Sequence, residues 1–517
     1  MSTQQDRNRH IALNTLIVAG SFFLAAGAGL ARNIVIAQHF TIGPALDAYY
    51  AAFRIPDLLF TVVAGGALAT AFIPVFADFV SQGDREGAWR LTSAITNLVV
   101  LVALVFAAVA AMFAQPLVEH IIAPGFSPAH QMETAGLMRI VLISTILFAI
   151  SSVQGSALHG FKHFLLPALA PAVYPLGVIA GALWLTPIMG VRGLAVGAVL
   201  GAALHLGIKV PALLHFGFRW FPILGWQDPA VRRVGVLLGP RVLDLAVFQL
   251  TLVLMTNLAS RLTAGSVSAL EWGWDAMQLP ETIIGTAFGL VAFPTLAELA
   301  AREDREGLKT TLAETTRAVV ALTVPATAGL ILLGRPALQM VYQRGAFDAA
   351  AIEAIYVALA FFALGLVGHA TLELTARAFF AQKDTVTPLL VATLSGGMTL
   401  AFGVLLMPWL GHGGLALGNS LATTLEVIIL MLILRKRWGS VDGRSTFRTL
   451  ARVSLATIFM ALMMSWTLSW VRDVTSTPWL EVLLGGAVGL GSYVLASLIL
   501  RERALTFLPA AVLKGRV

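Results

Sequence analysis

The chain has 517 residues, of which 58% are hydrophobic and only 12% are Asp, Glu, Lys or Arg, and its mean hydropathy is +0.84. A soluble globular domain carries about 25% charged residues, so this composition excludes a cytosolic enzyme and a nucleic-acid reader. The absence of cysteine also excludes a disulfide scaffold, a thiolate metal site and a Cys nucleophile. At about 21 residues per span, the apolar residues supply roughly 14 helices. The expectation is an all-α polytopic membrane protein, with the net charge of +7 carried by cytoplasmic loops facing anionic lipid.

In chain order, apolar segments bounded by polar or Gly/Pro clusters fall at 11–38, 46–79, 91–119, 133–160, 165–187 and 190–216. The next six are 233–262, 267–300, 311–334, 351–381, 386–409 and 413–435, and two more follow at 449–471 and 478–500. The first run, from Ile11 to about Phe40, is too long for the apolar core of a signal peptide and reads as the first span. With the N-terminus inside, the cytoplasmic side collects Arg7, Arg9, Arg85, Arg90, Arg302, Arg305 and the runs Arg435–Arg437 and Arg444–Arg452. The opposite side holds only Arg192, Arg261, Arg335, Arg344 and Arg472. This asymmetry predicts an inner-membrane protein with both termini cytoplasmic.

The sequence repeats itself at a shift of about 220 residues. LDAYYAAFRIPD from Leu46 aligns with LEWGWDAMQLPE from Leu270, matching Asp47 with Glu271, Pro56 with Pro280 and Asp57 with Glu281. FIPVFADF (72–79) aligns with AFPTLAEL (292–299), Asp-Arg-Glu-Gly at 84–87 recurs at 304–307, and GVRGLAVG (190–197) aligns with GHGGLALG (411–418). Each repeat holds about six spans, so both have the same orientation. The expected domains are an N-terminal six-helix lobe (1–220), a second six-helix lobe (221–440), and two extra spans with a tail (441–517). Parallel repeats of this kind build transporters that bind substrate between their halves and alternate access by rocking.

Ionisable side chains at membrane depth are costly and normally face a partner or a wet cavity. Spans one and two offer Arg32, Asp47, Arg54 and Asp57, and spans seven and eight offer Asp244, Arg261, Glu271, Asp275 and Glu281. Span ten offers Glu373 and Arg377, with His369 one turn away. Arg139, Lys209 and Glu426 are more isolated, and Arg261, Lys209 and Arg139 fit helix ends where the charge snorkels. Guanidinium groups suit phosphate because they present paired planar donors and a permanent charge. Arg32 and Arg54 are therefore the substrate-binding candidates, with Asp47, Glu271, Asp275, Glu373 and Arg377 as gating or ion-linked residues. Pro56, Pro280, Pro294 and Pro388 are candidate helix breaks. Gly193, Gly197 and Gly201 have the spacing of close helix packing. No Walker A, G-x-S-x-G or H-E-x-x-H sequence is present, which argues for a non-enzyme without a resident cofactor. His159 and His163 have i, i+4 ligand spacing but no nearby carboxylate in sequence.

ARNIVIAQHF (31–40), DAYYAAFRIPDLLF (47–60) and GGALATAFIPVFADF (65–79) resemble the lipid II flippase family MurJ (MviN). So do IIAPGF (121–126), AGSVS (264–268), MQLP (277–280) and RAFFAQKDTVTP (377–388). That family belongs to the multidrug/oligosaccharidyl-lipid/polysaccharide exporter superfamily. The resemblance implies flipping of an undecaprenyl-pyrophosphate-linked peptidoglycan precursor through a V-shaped cationic cavity, with the last two spans forming a groove for the lipid tail. It also implies coupling to membrane potential or Na+, and membrane lipids and cell-wall synthesis proteins as partners, without nucleic acid. Arg32, Asp47 and Arg54 carry over by match. Three arginines of the family pattern are replaced here, by Ala26, Phe60 and Ala276. The alternatives are export of another lipid-linked glycan or of cationic small molecules, or a non-transporting role in envelope assembly.

Overall fold

A computed structural model describes residues 4–65, 67–439, 443–475 and 477–502, all helices, turns and loops with no strand among them. Helix α1 (Gln4–His39) is followed by a helix in three pieces, α2 (Pro44–Ala52), α3 (Arg54–Ala64) and α4 (Ala67–Ser81). α5 (Arg85–Met112) continues through α6 (Ala114–Leu117) into a π turn at Val118–Ile122. Then come α7 (Pro128–Gly160), α8 (Leu165–Ala180), a π turn at Gly181–Leu185, α9 (Thr186–Met189), α10 (Arg192–Gly207), α11 (Val210–His215) and α12 (Pro229–Ala259). The second half has α13 (Ser266–Glu281), a π turn at Thr282–Thr286, α14 (Ala287–Ala301), α15 (Arg305–Tyr342), α16 (Ala349–Ala363) and α17 (Leu366–Ala381). It ends with α18 (Val386–Leu410), α19 (His412–Trp438), α20 (Gly443–Val474) and α21 (Pro478–Ile499).

Among the described residues, eleven helices are long and apolar enough to cross a membrane, or twelve when α16 and α17, bent by 47°, count as one span. The two remaining segments of the expected fourteen are α1 and α12. Many outward-pointing side chains are large and apolar, as at Trp409, Ile188 and Val291, which are 84%, 82% and 77% exposed. In water this would be an aggregation surface; in a bilayer it is the lipid-facing side of the helices.

The repeat is written in local backbone chemistry. Asp84 caps α5 by accepting from the Gly87 amide at 2.8 Å, and Asp304 caps α15 from the Gly307 amide at 2.9 Å. Each bond satisfies one of the free amides of a helix start. The left-handed turns recur too: Gly83 with Glu303, Lys162 with Lys383, Gly190 with Gly411, and Gly217 with Gly439.

The chain divides into two compact units: Met1–Ala264 with Arg344–Ala346, and Gly265–Gln343 with Phe347–Val517. In unit 1, Phe72, Phe76, Trp89 and Leu158 form the centre of an aromatic core shared by α4, α5 and α7. α8 and the π turn that follows it meet α10 at glycines: a Cβ on Gly177 would come within 2.1 Å of the Gly201 amide, and one on Gly181 within 2.4 Å of the Gly193 carbonyl. The small-residue spacing expected to mean close packing therefore does so. α12 packs on α3 and α4 within unit 1, held by Gln249 Nε2 to Thr61 Oγ1 at 3.2 Å and Arg233 to Asp78 at 3.1 Å. In unit 2, Leu296, Leu312, Phe379 and Leu430 centre the corresponding core of α14, α15, α17 and α19. α20 and α21 pack on each other and on α15, where the Tyr493 hydroxyl donates to the Ala321 carbonyl at 2.5 Å.

Candidate functional site

In unit 1 the site residues are positioned by the break between α2 and α3. Proline has no amide to donate, so Pro56 leaves the Ala52 carbonyl without its helical partner. The chain turns at Phe53, whose amide bonds Tyr50 O at 3.3 Å, and restarts with Asp57 N to Phe53 O at 2.8 Å. Arg54 is thereby the first residue of α3. It is 7% exposed, and its Nε donates to Thr256 Oγ1 of α12 at 2.7 Å. Thr145 of α7 donates to the Pro56 carbonyl at 3.4 Å. Arg32 of α1 is half-buried, and its Nε donates to Asn33 Oδ1 at 3.0 Å. Arg32 and Asp57 both lie within electrostatic reach of Tyr49 and Tyr174. Asp47 is buried in α2 at 2% exposure. Thr256 was not singled out from sequence, since one threonine in an apolar helix gives no sign of its long-range partner.

In unit 2, Glu271 and Asp275 lie half-buried along α13. Glu373 and Arg377 pair at 3.0 Å across one turn of α17, and Arg377 Nη1 also donates to the Thr286 carbonyl at 3.4 Å, at the end of the π turn. Glu281 lies within electrostatic range of both. Gly289 makes the room: a Cβ there would sit 1.6 Å from the Arg377 guanidinium nitrogen. His369 shares Nε2 with Asn419 Oδ1 at 3.1 Å and stands edge-on to Trp274. The structure thus joins Glu281, Glu373 and Arg377 in one cluster, around a π turn of the kind that often marks functional positions.

Other candidates resolve individually. Lys209 is not a snorkelling residue. It is 2% exposed, and its Nζ donates to the Ser151 carbonyl at 2.6 Å. Glu426 is buried at 6%. Arg139 and Arg261 are exposed and bond Ala111 O and Asn257 Oδ1. His159 stacks on Phe164 and His163 packs edge-on to Phe216. The Asp244 side chain lies outside the described residues. Pro56 interrupts its helix and Pro280 leads into the π turn, whereas Pro294 sits within an unbroken α14 and Pro388 within the first turn of α18.

Buried guanidinium and carboxylate groups on apolar helices, in a duplicated helical scaffold, define a multi-pass membrane protein with a transporter fold. The family model described as "Lipid II flippase MurJ" matches residues 36–484, and the chain belongs to that family. It is 28% identical over 460 residues to the lipid II flippase MurJ of Burkholderia cenocepacia, covering 87% of this chain and 89% of that one. It is 30% identical to a probable lipid II flippase MurJ of Rhizobium tropici, covering 94% and 91%. Among solved structures, its fold is similar to a lipid II flippase MurJ in an inward closed conformation, with a TM-score of 0.80 at 21% identity, over 94% of this chain and 99% of that one. It is also similar to an inward-facing multidrug resistance MATE family transporter, with a TM-score of 0.64 at 15% identity, over 80% and 95%.

Proposed function

We propose that this protein is a non-catalytic carrier that flips a polyprenyl-pyrophosphate-linked cell-wall precursor, lipid II or a close analogue, across the cytoplasmic membrane by alternating access. The observation that carries the reading is family membership over most of the chain, joined to a buried arginine at a helix break where the sequence resemblance puts a basic position. Arg32 and Arg54 hold the pyrophosphate, because two fixed guanidinium groups match a dianion that a low-dielectric interior would otherwise reject. Arg54 is held by Thr256 on α12, so that bond opens when substrate enters. Asp47, Glu271, Asp275 and the Glu373–Arg377 pair act as gating or ion-linked groups, with both termini cytoplasmic and the two six-helix repeats rocking. Membrane potential or Na+ is the energy source.

Complementation tests the reading. Cells depleted of their own lipid II flippase regain growth when this chain is expressed, and lose it with Arg32→Ala or Arg54→Ala at equal membrane abundance. Failure of the wild-type chain to rescue overturns the substrate. Rescue by both variants overturns the cationic site. The acidic cluster of unit 2 favours one second reading, export of a cationic molecule; drug resistance without rescue would select it.

A further inference from the structure

A second buried cation in unit 1 has no place in the proposed binding site. Lys209 stands between α10 and α11, where Pro211 cannot donate to the Gly207 carbonyl and the helix breaks. Lys209 N turns back to Leu206 O at 3.3 Å, and α11 restarts with Leu213 N to Lys209 O at 3.2 Å. The side chain crosses to the C-terminal third of α7, and the Ser151 carbonyl, at 2.6 Å, is its one hydrogen-bond partner among the described residues. No carboxylate among the described residues pairs with it, unlike Arg377 with Glu373 in unit 2.

Its surroundings are basic and neutral. From α10, His205 bonds the Ser151 hydroxyl through Nδ1 at 2.8 Å, and from α7, His159 lies within electrostatic range. From α8, Tyr174 is separated from His205 by the ring of Phe148, and His215 of α11 turns to Phe216. One turn along α7 from Ser151, Gln154 Oε1 is buried and accepts no hydrogen bond. An ammonium held by one carbonyl beside two imidazoles, with no counter-ion among the described residues, carries a large desolvation cost. A group that gives up its proton avoids that cost, and its proton affinity then depends on how the helix break sits against α7.

We propose that Lys209 binds and releases a proton during transport, so that movement of the α10–α11 break against α7 is linked to proton occupancy. The linkage is reciprocal, since any motion that changes proton affinity is itself biased by pH. The proposal rests on the chain being a transporter, and the test separates the two ideas.

The full-length protein is reconstituted in vesicles with fluorescent lipid II, and flipping is followed from about pH 5 to about pH 9, a range in which an ordinary lysine stays charged. The wild-type rate is expected to change by about tenfold, the equivalent of one pK unit. Lys209→Met and Lys209→Arg, one uncharged and one permanently charged, give flat profiles, while His159→Gln and His205→Gln keep the wild-type dependence. A Lys209→Met profile like the wild type overturns the proposal, as does a flat wild-type profile. Independently of flipping and of variant folding, the side-chain nitrogen resonance of Lys209 in labelled wild-type protein in nanodiscs titrates within this range. A fully charged amine throughout overturns the proposal. Absent flipping with a titrating lysine sinks the substrate reading instead.

Discussion

The broken helix of unit 1 and its repeat counterpart in unit 2 start from the same proline and end differently. In α2–α3, Pro56 produces a turn at Phe53 and delivers Arg54 into a buried site on α12. In α13–α14, Pro280 is followed by a π turn, the helix runs on, and Gln278, which aligns with Arg54, is exposed. The cation at the end of that π turn is Arg377, which comes from another helix and is paired with Glu373. The repeat thus keeps the proline and the acidic positions, Asp47 with Glu271 and Asp57 with Glu281, while the position that carries Arg54 in unit 1 carries Gln278 in unit 2.

Exchanging the aligned residues strikes hardest at this contrast. Arg54→Gln removes the donor to Thr256 and the guanidinium together; the loss of one charge-assisted buried contact is worth about 1.5–3 kcal/mol. Rescue of flippase-depleted cells is expected to disappear, while Gln278→Arg leaves it intact. Equal effects of the two changes would erase the distinction between units.

The prolines sharpen it next. Pro56→Ala supplies an amide for the Ala52 carbonyl and allows α2 and α3 to fuse, displacing Arg54. Flipping is expected to fall roughly tenfold, about 1.4 kcal/mol in barrier, with a smaller fall for Pro280→Ala, whose π turn already rearranges the helical bonding. In unit 2 alone, Gly289→Leu drives a side chain into the space of Arg377, an overpacking worth about 1–3 kcal/mol. The expected drop in thermal stability of the solubilised protein shrinks in an Arg377→Ala background, because the clash is then gone.

The smallest effect is a pH dependence outside the spans. Asp384, in the turn between α17 and α18, accepts from Arg437 at 2.6 Å and from the Thr387 amide and hydroxyl at 3.0 and 2.7 Å. Partial burial works to raise its pKa, but these hydrogen bonds and the Arg437 charge outweigh it and hold the value at about 2, against an ordinary 3.8. A depressed carboxyl stabilises the folded state fully above the ordinary value, and that contribution is lost as pH falls through about 2. The pair is partly exposed, so the effect is about 1 kcal/mol or less and weakens with salt. Melting curves from about pH 5 to about pH 2 are expected to show this loss in the wild type and to lack it in Asp384→Asn.

The membrane class, the repeat and the close packing of Gly193, Gly197 and Gly201 were legible because they rest on composition, turn residues and spacing. The Asp84 and Asp304 caps could be read as a recurring tetrapeptide for the same reason. What escaped depends on partners distant in sequence. Lys209 looks like a helix-end residue until α7 covers it, Thr256 has no motif, and nothing in MQLPETIIG announces a π turn rather than a turn like that at Phe53. The packing of α12 on α3 and α4, although it heads the second sequence repeat, is likewise a tertiary choice that periodicity does not encode.

Flipping of fluorescent lipid II by the purified protein in vesicles of defined lipid puts the central claim to its most direct test. The account predicts transfer between leaflets by the wild type and none by an Arg32→Ala, Arg54→Ala double variant that is equally folded and incorporated. Undiminished transfer by that variant would contradict it.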